Sequence, residues 1–181
     1  MHERPLSWLT NNGLALNLSN SEAIAFQGLR CSENIFKDVS VAGSYIAISS
    51  EANSLDVVLN KKLSFDKHVT GVCRACYFHS RELRHVRSSL TEDLAKTVAQ
   101  SIIESRLDYC NSLWLGMSES HFDQLQGVQN TLARVVTGHT KFDHIISVLA
   151  ELHWLPIRSR VTFMVATLVY KVQHFGLSIF Q

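Results

Sequence analysis

The chain has 181 residues, 46% hydrophobic and 18% charged, enough to bury a real core in one domain, or in one domain and a fragment of another. Its four cysteines do not read as a disulfide framework at this length. The longest apolar run, "VTFMVATLVY", falls well short of the roughly 20 residues a membrane helix needs. A formal net charge of +1 hides an uneven layout: residues 1 to 60 carry 3 basic and 6 acidic side chains, residues 61 to 90 carry 7 and 2, and residues 91 to 181 carry 7 and 8.

The start, "MHERPLSWL", lacks an apolar signal core followed by a small-residue cleavage site, so the expectation is an intracellular protein, nuclear or cytoplasmic. "SWLTNNGLALNLSNSEAIAFQGL" reads as a short helix, a turn at Asn12-Gly13 and then an apolar alternation. "SYIAISS" (44 to 50) and "LDVVLN" (55 to 60) are short β-branched runs bounded by turn formers, and read as strand and hairpin pieces. Sixty residues is little for an independent sheet, so these strands are expected to leave unpaired edges.

From residue 64 the spacing turns helical. Val69, Val72, Cys73, Cys76, Leu83 and Val86 share one side of a helix expected over residues 66 to 88. Thr91 is an N-cap with Glu92 and Asp93 in the first turn, opening a helix to about 114 that carries Leu94, Val98, Ile102 and Leu113 inward. Ser118 or Ser120 caps a third helix, with Phe122, Leu125, Val128, Leu132 and Val135 on its apolar face and Gly138 as its stop. Asp143 begins a short fourth that ends before Pro156, and a fifth covers residues 157 to 175 and stops at Gly176. The expected fold class is mainly α: a small α+β segment followed by a bundle of about five helices.

Candidate chemistry is sparse. In "SRLDYCNSL" an acid, a phenol, a thiol and an amide are consecutive (Asp108, Tyr109, Cys110, Asn111), but Asp108 and Cys110 point about 200° apart on a helix and no histidine shares their face. Packing by Leu107, Cys110 and Leu113 or Trp114, with Arg106 and Asp108 tying neighbouring elements, is the preferred account. "CRAC" (73 to 76) followed by His79 has the look of a ligand set without a second half, and core cysteines are preferred over zinc. The aspartates Asp38, Asp56, Asp66, Asp93, Asp108, Asp123 and Asp143 are scattered singly, whereas two-ion phosphoryl chemistry needs clustered carboxylates. No catalytic residue, metal site or cofactor is assigned to this chain.

The basic block is more informative. Lys67, Arg74, Arg81 and His85 fall within about 40° of one another on the 66 to 88 helix, with Phe78 in the same stripe and Arg84 beside it. Cations for phosphates interleaved with a ring for a base suit a surface that tracks a nucleic-acid backbone; a merely solvated face is the alternative.

Five stretches taken together resemble the reverse transcriptases of non-LTR retrotransposons (LINE elements) of the jockey and chicken-repeat kind, in the part after the catalytic centre: "WLTNNGLALNLSNSEAIAF", "SLDVVLNKKLSFDKHV", "SRLDYCNSL", "LQGVQNTLARVV" and "LHWLPIRSRVTF". They occur in the family's order and cover nearly the whole chain. The resemblance implies a palm-edge and primer-grip remnant over residues 1 to 60, with Leu55, Asp56 and Val57 as the primer-grip-like turn. It implies a helical thumb and extension over residues 61 to 181.

The same resemblance places the family's Ala-Asp-Asp signature just before residue 1, so the implied product is an RNA-directed DNA polymerase fragment without polymerase activity of its own. Mg²⁺ is expected only for a complete polymerase. Asn20 stands where the family has a palm lysine, and asparagine cannot serve as that proton donor. Asp56 stands at the glycine of the primer-grip turn and Asn60 at the aspartate after it, which puts the hairpin geometry in question. The expected partner is RNA or an RNA–DNA hybrid held by Lys67, Arg74, Phe78, Arg81 and Arg84. A non-catalytic interaction protein, with a partner chain at its strand edges, and an element's remnant with no selected role are the alternatives.

Overall fold

The computed structural model describes residues 8, 10–15, 17–26, 37–41 and 44–175, so Cys31 and the expected helix stop at Gly176 lie outside the described residues. The chain divides into two compact units, Met1–Phe65 and Asp66–Gln181.

In the first unit, helical geometry at Trp8, Thr10 and Asn11 closes with the Asn12 N–H donating to the Trp8 carbonyl. Gly13 follows at φ 69, the left-handed turn expected of Asn-Gly. A 3-10 turn at Leu18–Asn20 leads into β1 (Ala23–Ile24), which pairs in parallel with β3 (Ser44–Ser49). β2 (Asp38–Val41) pairs antiparallel with β3 on its other side. β4 (Glu51–Ser54) and β5 (Val57–Asn60) form a separate antiparallel hairpin.

"LDVVLN" is therefore part turn and part strand: Leu55 and Asp56 are the two-residue turn, at φ 49 and 61, and Val57–Asn60 the strand. The strand that precedes them, "EANS", is composed of weak strand formers and escapes a propensity reading; cross-strand pairing with β5 makes it a strand. Positive φ at both central residues is the geometry whose right-handed twist matches a two-residue hairpin. Asp56 supplies without glycine the conformation the turn demands, and Leu55 does so against its own branched side chain.

The second unit is built of helices, as the spacing predicts, and the fold class is mainly α with a small sheet-bearing segment in front. α1 (Asp66–Val86), a run of α2 (Glu92–Ala99), a π turn (Gln100–Glu104) and α3 (Ser105–Asp108), then α4 (Glu119–Thr137), α5 (Ile145–Glu151) and α6 (Ile157–Phe175) make five helical rods among the described residues. α4 is central, packing against α1, α2, α5 and α6. Phe122, Leu125, Val128, Leu132 and Val135 are buried as expected, and Gly138 ends the helix at φ 76 with its N–H on the Arg134 carbonyl.

Several expectations are corrected. The second helix does not reach residue 114: it stops at Asp108, because Tyr109 turns extended and Cys110 adopts the left-handed region at φ 53, after which Asn111–Trp114 forms a 3-10 turn. Leu94, Ile102 and Leu113 are exposed, and the buried face is Ala95, Ala99, Ile103 and Leu107. Small alanines let α2 approach α4 closely. The π turn, with the Ser105 N–H donating to the Gln100 carbonyl, takes up the drift that a strict four-residue spacing would accumulate in an α-helix. Likewise Val86 is half exposed at the end of α1, while His68, Val69, Cys73, Cys76, Ser80 and Leu83 form its buried face.

α5 is shorter than expected at both ends. The Asp143 Oδ2 accepts from the Thr140 N–H and hydroxyl (2.6 and 2.9 Å), fixing a turn ahead of the helix and holding this carboxyl below its ordinary pKa. At the far end His153 stands at φ 57, its N–H on the Ala150 carbonyl and the Trp154 N–H on that of Leu149, a left-handed cap that a histidine occupies in place of glycine.

Candidate nucleic-acid interface and its supporting network

"SRLDYCNSL" does not build an active site. Leu107, Asn111 and Trp114 are buried, Tyr109, Arg106 and Leu113 are exposed, and Cys110 is half buried in its left-handed turn. The chemistry goes into an ion-pair network. Arg160 of α6 pairs with buried Glu104 and sets its second nitrogen 2.9 Å from Asp108 Oδ1, which also accepts from Asn111 Nδ2. Burial pushes the Glu104 pKa up, and Asp108 adds to the rise; Arg160 and Gln129 pull it back without cancelling it.

A second polar seam continues along α4. Gln126 Nε2 donates to Gln129 Oε1 and Asn130 Oδ1, and Gln129 Nε2 donates to the Leu155 carbonyl at 3.0 Å. The Ile157 N–H, a first-turn donor of α6 with no intrahelical partner, donates to Gln126 Oε1 at 2.9 Å. Three of the stretches singled out in the sequence, "SRLDYCNSL", "LQGVQN" and "LHWLPIRSR", thus meet in one place. Their polar side chains satisfy one another's backbone and charge around α4.

"CRAC" contributes to the core. Cys73 and Cys76 are buried free thiols, and burial raises both pKa values, that of Cys76 to about 12, with the neighbouring Cys73 adding to it. His79 turns the edge of its ring onto Phe78, at 5.3 Å between centroids. Among the described residues no three His, Cys, Asp or Glu side chains gather as a metal site, so no metal-dependent step is assigned to them. No helix among them is long and apolar enough to cross a membrane.

The basic stripe occupies the outer face of α1. Lys67, Arg74, Phe78, Arg81, Arg84 and His85 are all exposed, opposite Val69, Cys73, Cys76 and Leu83, so the helix presents cations and a ring on one side and its core on the other. Arg74, Arg81 and Arg84 form no ion pair among the described residues. At the C-terminal end of α1 the stripe runs into an open cleft of about 710 Å³ whose further basic side chains, Arg87, Arg134, His139 and Lys141, come from the turn after α1 and from the end of α4 and beyond. Sequence reasoning overlooked these four because they are spread over more than fifty positions; only a helix stop at Gly138 hinted that the chain doubles back there. Leu55 and Asp56, in the first unit, sit at an exposed turn, and Val57 beside them is buried.

The chain thus joins a small sheet-bearing segment to a helical unit whose first helix carries a basic outer face. The chain is 32% identical over 90 residues to a probable RNA-directed DNA polymerase from transposon X-element of Drosophila melanogaster. The similarity covers 48% of this chain and 10% of that protein, so the chain spans a small part of the relative's length, and it supports a reverse-transcriptase-like relationship. No protein-family model matches the chain, and no solved structure matches it.

Proposed function

We propose that this chain is a piece of a non-LTR retrotransposon reverse transcriptase of the jockey and chicken-repeat kind, from the region after the catalytic centre. Residues 1 to 60 correspond to the palm edge and primer grip, and residues 61 to 181 to the thumb and its extension. Its own task is to hold RNA or an RNA–DNA hybrid on the α1 stripe of Lys67, Arg74, Phe78, Arg81 and Arg84. Leu55, Asp56 and Val57 form the primer-grip-like turn. The ions that polymerisation requires are held by carboxylates of another part of such a polymerase.

The observation that carries this reading is the 32% identity over 90 residues to a transposon polymerase. The exposed arrangement of the stripe supports the binding half. Fluorescence anisotropy of a labelled RNA–DNA hybrid, titrated across salt, tests it: replacing Arg74 and Arg81 by Glu should weaken binding roughly tenfold or more and flatten the salt dependence. Unchanged affinity and slope would remove the stripe from consideration.

A second reading rests on α6, whose later turns expose Phe163, Leu168, Val169, Tyr170 and Val172 around the helix rather than along one side, apolar surface that another chain could cover. Size-exclusion chromatography with light scattering separates the two, since a clean monomer that binds the hybrid speaks against it.

A further inference from the structure

The cleft at the end of α1 and α4 has the composition of an anion site. Its charged lining consists of Arg84, Arg87, Arg134, Lys141 and the titratable His139, with no carboxylate among the lining residues. Two of the guanidinium groups are held in place by backbone: Arg87 donates through Nε to the Val136 carbonyl (2.7 Å) and through Nη1 to that of Leu90 (3.0 Å). Arg134 donates through Nε to the Thr140 carbonyl (3.1 Å).

Those bonds leave Arg87 only Nη2 as a single donor, while Arg134 keeps both terminal nitrogens, the fork geometry that suits phosphate oxygens. The Thr137 hydroxyl donates to the Ala133 carbonyl, so His139 Nδ1–H donates to the Thr137 oxygen at 2.8 Å, and Nε2 can donate to a phosphate only from the protonated ring. Lys141 Nζ lies 5.0 Å from the centre of the Phe142 ring, a contact that holds the ammonium without neutralising it. The nearest acid along the chain, Asp143, is bonded to Thr140 outside the lining, and His139 and Arg134 are close enough to add to the lowering of its pKa, so it offsets part of their charge. Gly138, at φ 76, makes the sharp exit from α4 that brings His139 and Lys141 back beside Arg134.

The same cations lie near the C-terminal ends of α1 and α4, where they also complement the helix dipoles. That local role accounts for Arg87 and for the Nε of Arg134. It does not account for five cationic or titratable groups around one open cleft of about 710 Å³.

We infer that this cleft is a phosphate-binding site, filled by a phosphodiester of the strand that lies along α1 or by a small phosphoanion. In its first form it deepens the proposed nucleic-acid binding and rests on it, with Arg84 as the residue common to stripe and cleft. In its second form it is independent of that reading.

The test compares the wild-type chain with Lys141→Glu, His139→Ala and Arg134→Gln, using a labelled RNA–DNA hybrid in one arm and inorganic pyrophosphate, followed by calorimetry, in the other. Lys141 and His139 bond no backbone, so their variants keep the fold if Arg134→Gln does not. A strand phosphate predicts that Lys141→Glu weakens the hybrid roughly five- to tenfold and lowers the salt slope by about one, with no pyrophosphate binding below millimolar concentration. A small phosphoanion predicts saturable pyrophosphate binding that Lys141→Glu and His139→Ala abolish, with the hybrid unaffected. If neither probe responds to any of these variants the site does not exist. Loss with Arg74→Glu and Arg81→Glu alone would then leave the stripe standing without the cleft, and the reverse pattern would leave the cleft without the stripe.

Discussion

Leu55, Asp56 and His153 each hold a left-handed backbone without being glycine, the first two between the paired strands of a hairpin and the third at a hydrogen-bonded helix end. A non-glycine residue there costs roughly 1 kcal/mol or more, least for aspartate, whose short polar side chain tolerates the region best. Changing Leu55 to Asn, or His153 to Gly, should therefore raise stability by about 0.5 to 1 kcal/mol, read as a higher urea midpoint at unchanged slope. Asp56→Gly should gain less. At Cys76 the burial that raises the thiol pKa to about 12 removes the thiolate at neutral pH. Iodoacetamide at pH 8, mapped by peptide mass, should label Cys76 only on unfolding; fast labelling in the native protein would contradict its place in the core.

Elements owe their limits to contacts that lie far away in sequence. The end of α3 is tied down where Arg160, fifty-two positions on from Asp108, pairs with that carboxylate and with Glu104, and α6 begins where Gln126 receives the Ile157 N–H. Removing Arg160 leaves the Glu104 carboxylate buried without its counter-ion, so Arg160→Ala should cost about 3 kcal/mol. The pH dependence has a definite sign. With its pKa raised on folding, Glu104 binds more protons in the native state, so its contribution is fully present below the unfolded pKa and is lost as pH rises through the folded one. Glu104→Gln should therefore gain on the wild type as pH climbs through the range above a glutamate's ordinary value. A difference that shrinks with rising pH in urea titrations would show that Arg160 outweighs burial.

At the scale of the molecule, two compact units divide at Phe65 and Asp66, and the helical one contains its own buried core. Residues 66 to 181 expressed alone should fold cooperatively, giving one calorimetric transition and a helical circular dichroism spectrum. If nucleic-acid binding lives on α1 and the cleft at its end, that fragment should keep most of the affinity of the whole chain.

Helix count, the burial of α4, the Gly138 stop and the basic face of α1 were all legible in the sequence, because helical periodicity and capping chemistry are local and each is written within some twenty residues. Tertiary structure alone decided that Ala95 and Ala99 rather than Leu94 and Ile102 face inward, since close approach to α4 and a π turn outweigh side-chain size. It alone made "EANS" a strand, through pairing with β5, and stopped the second helix at Asp108. It also gathered Arg87, Arg134, His139 and Lys141 with Arg84 around one cleft. Each of these depends on which distant segment a residue meets, and a single sequence carries no term for that meeting.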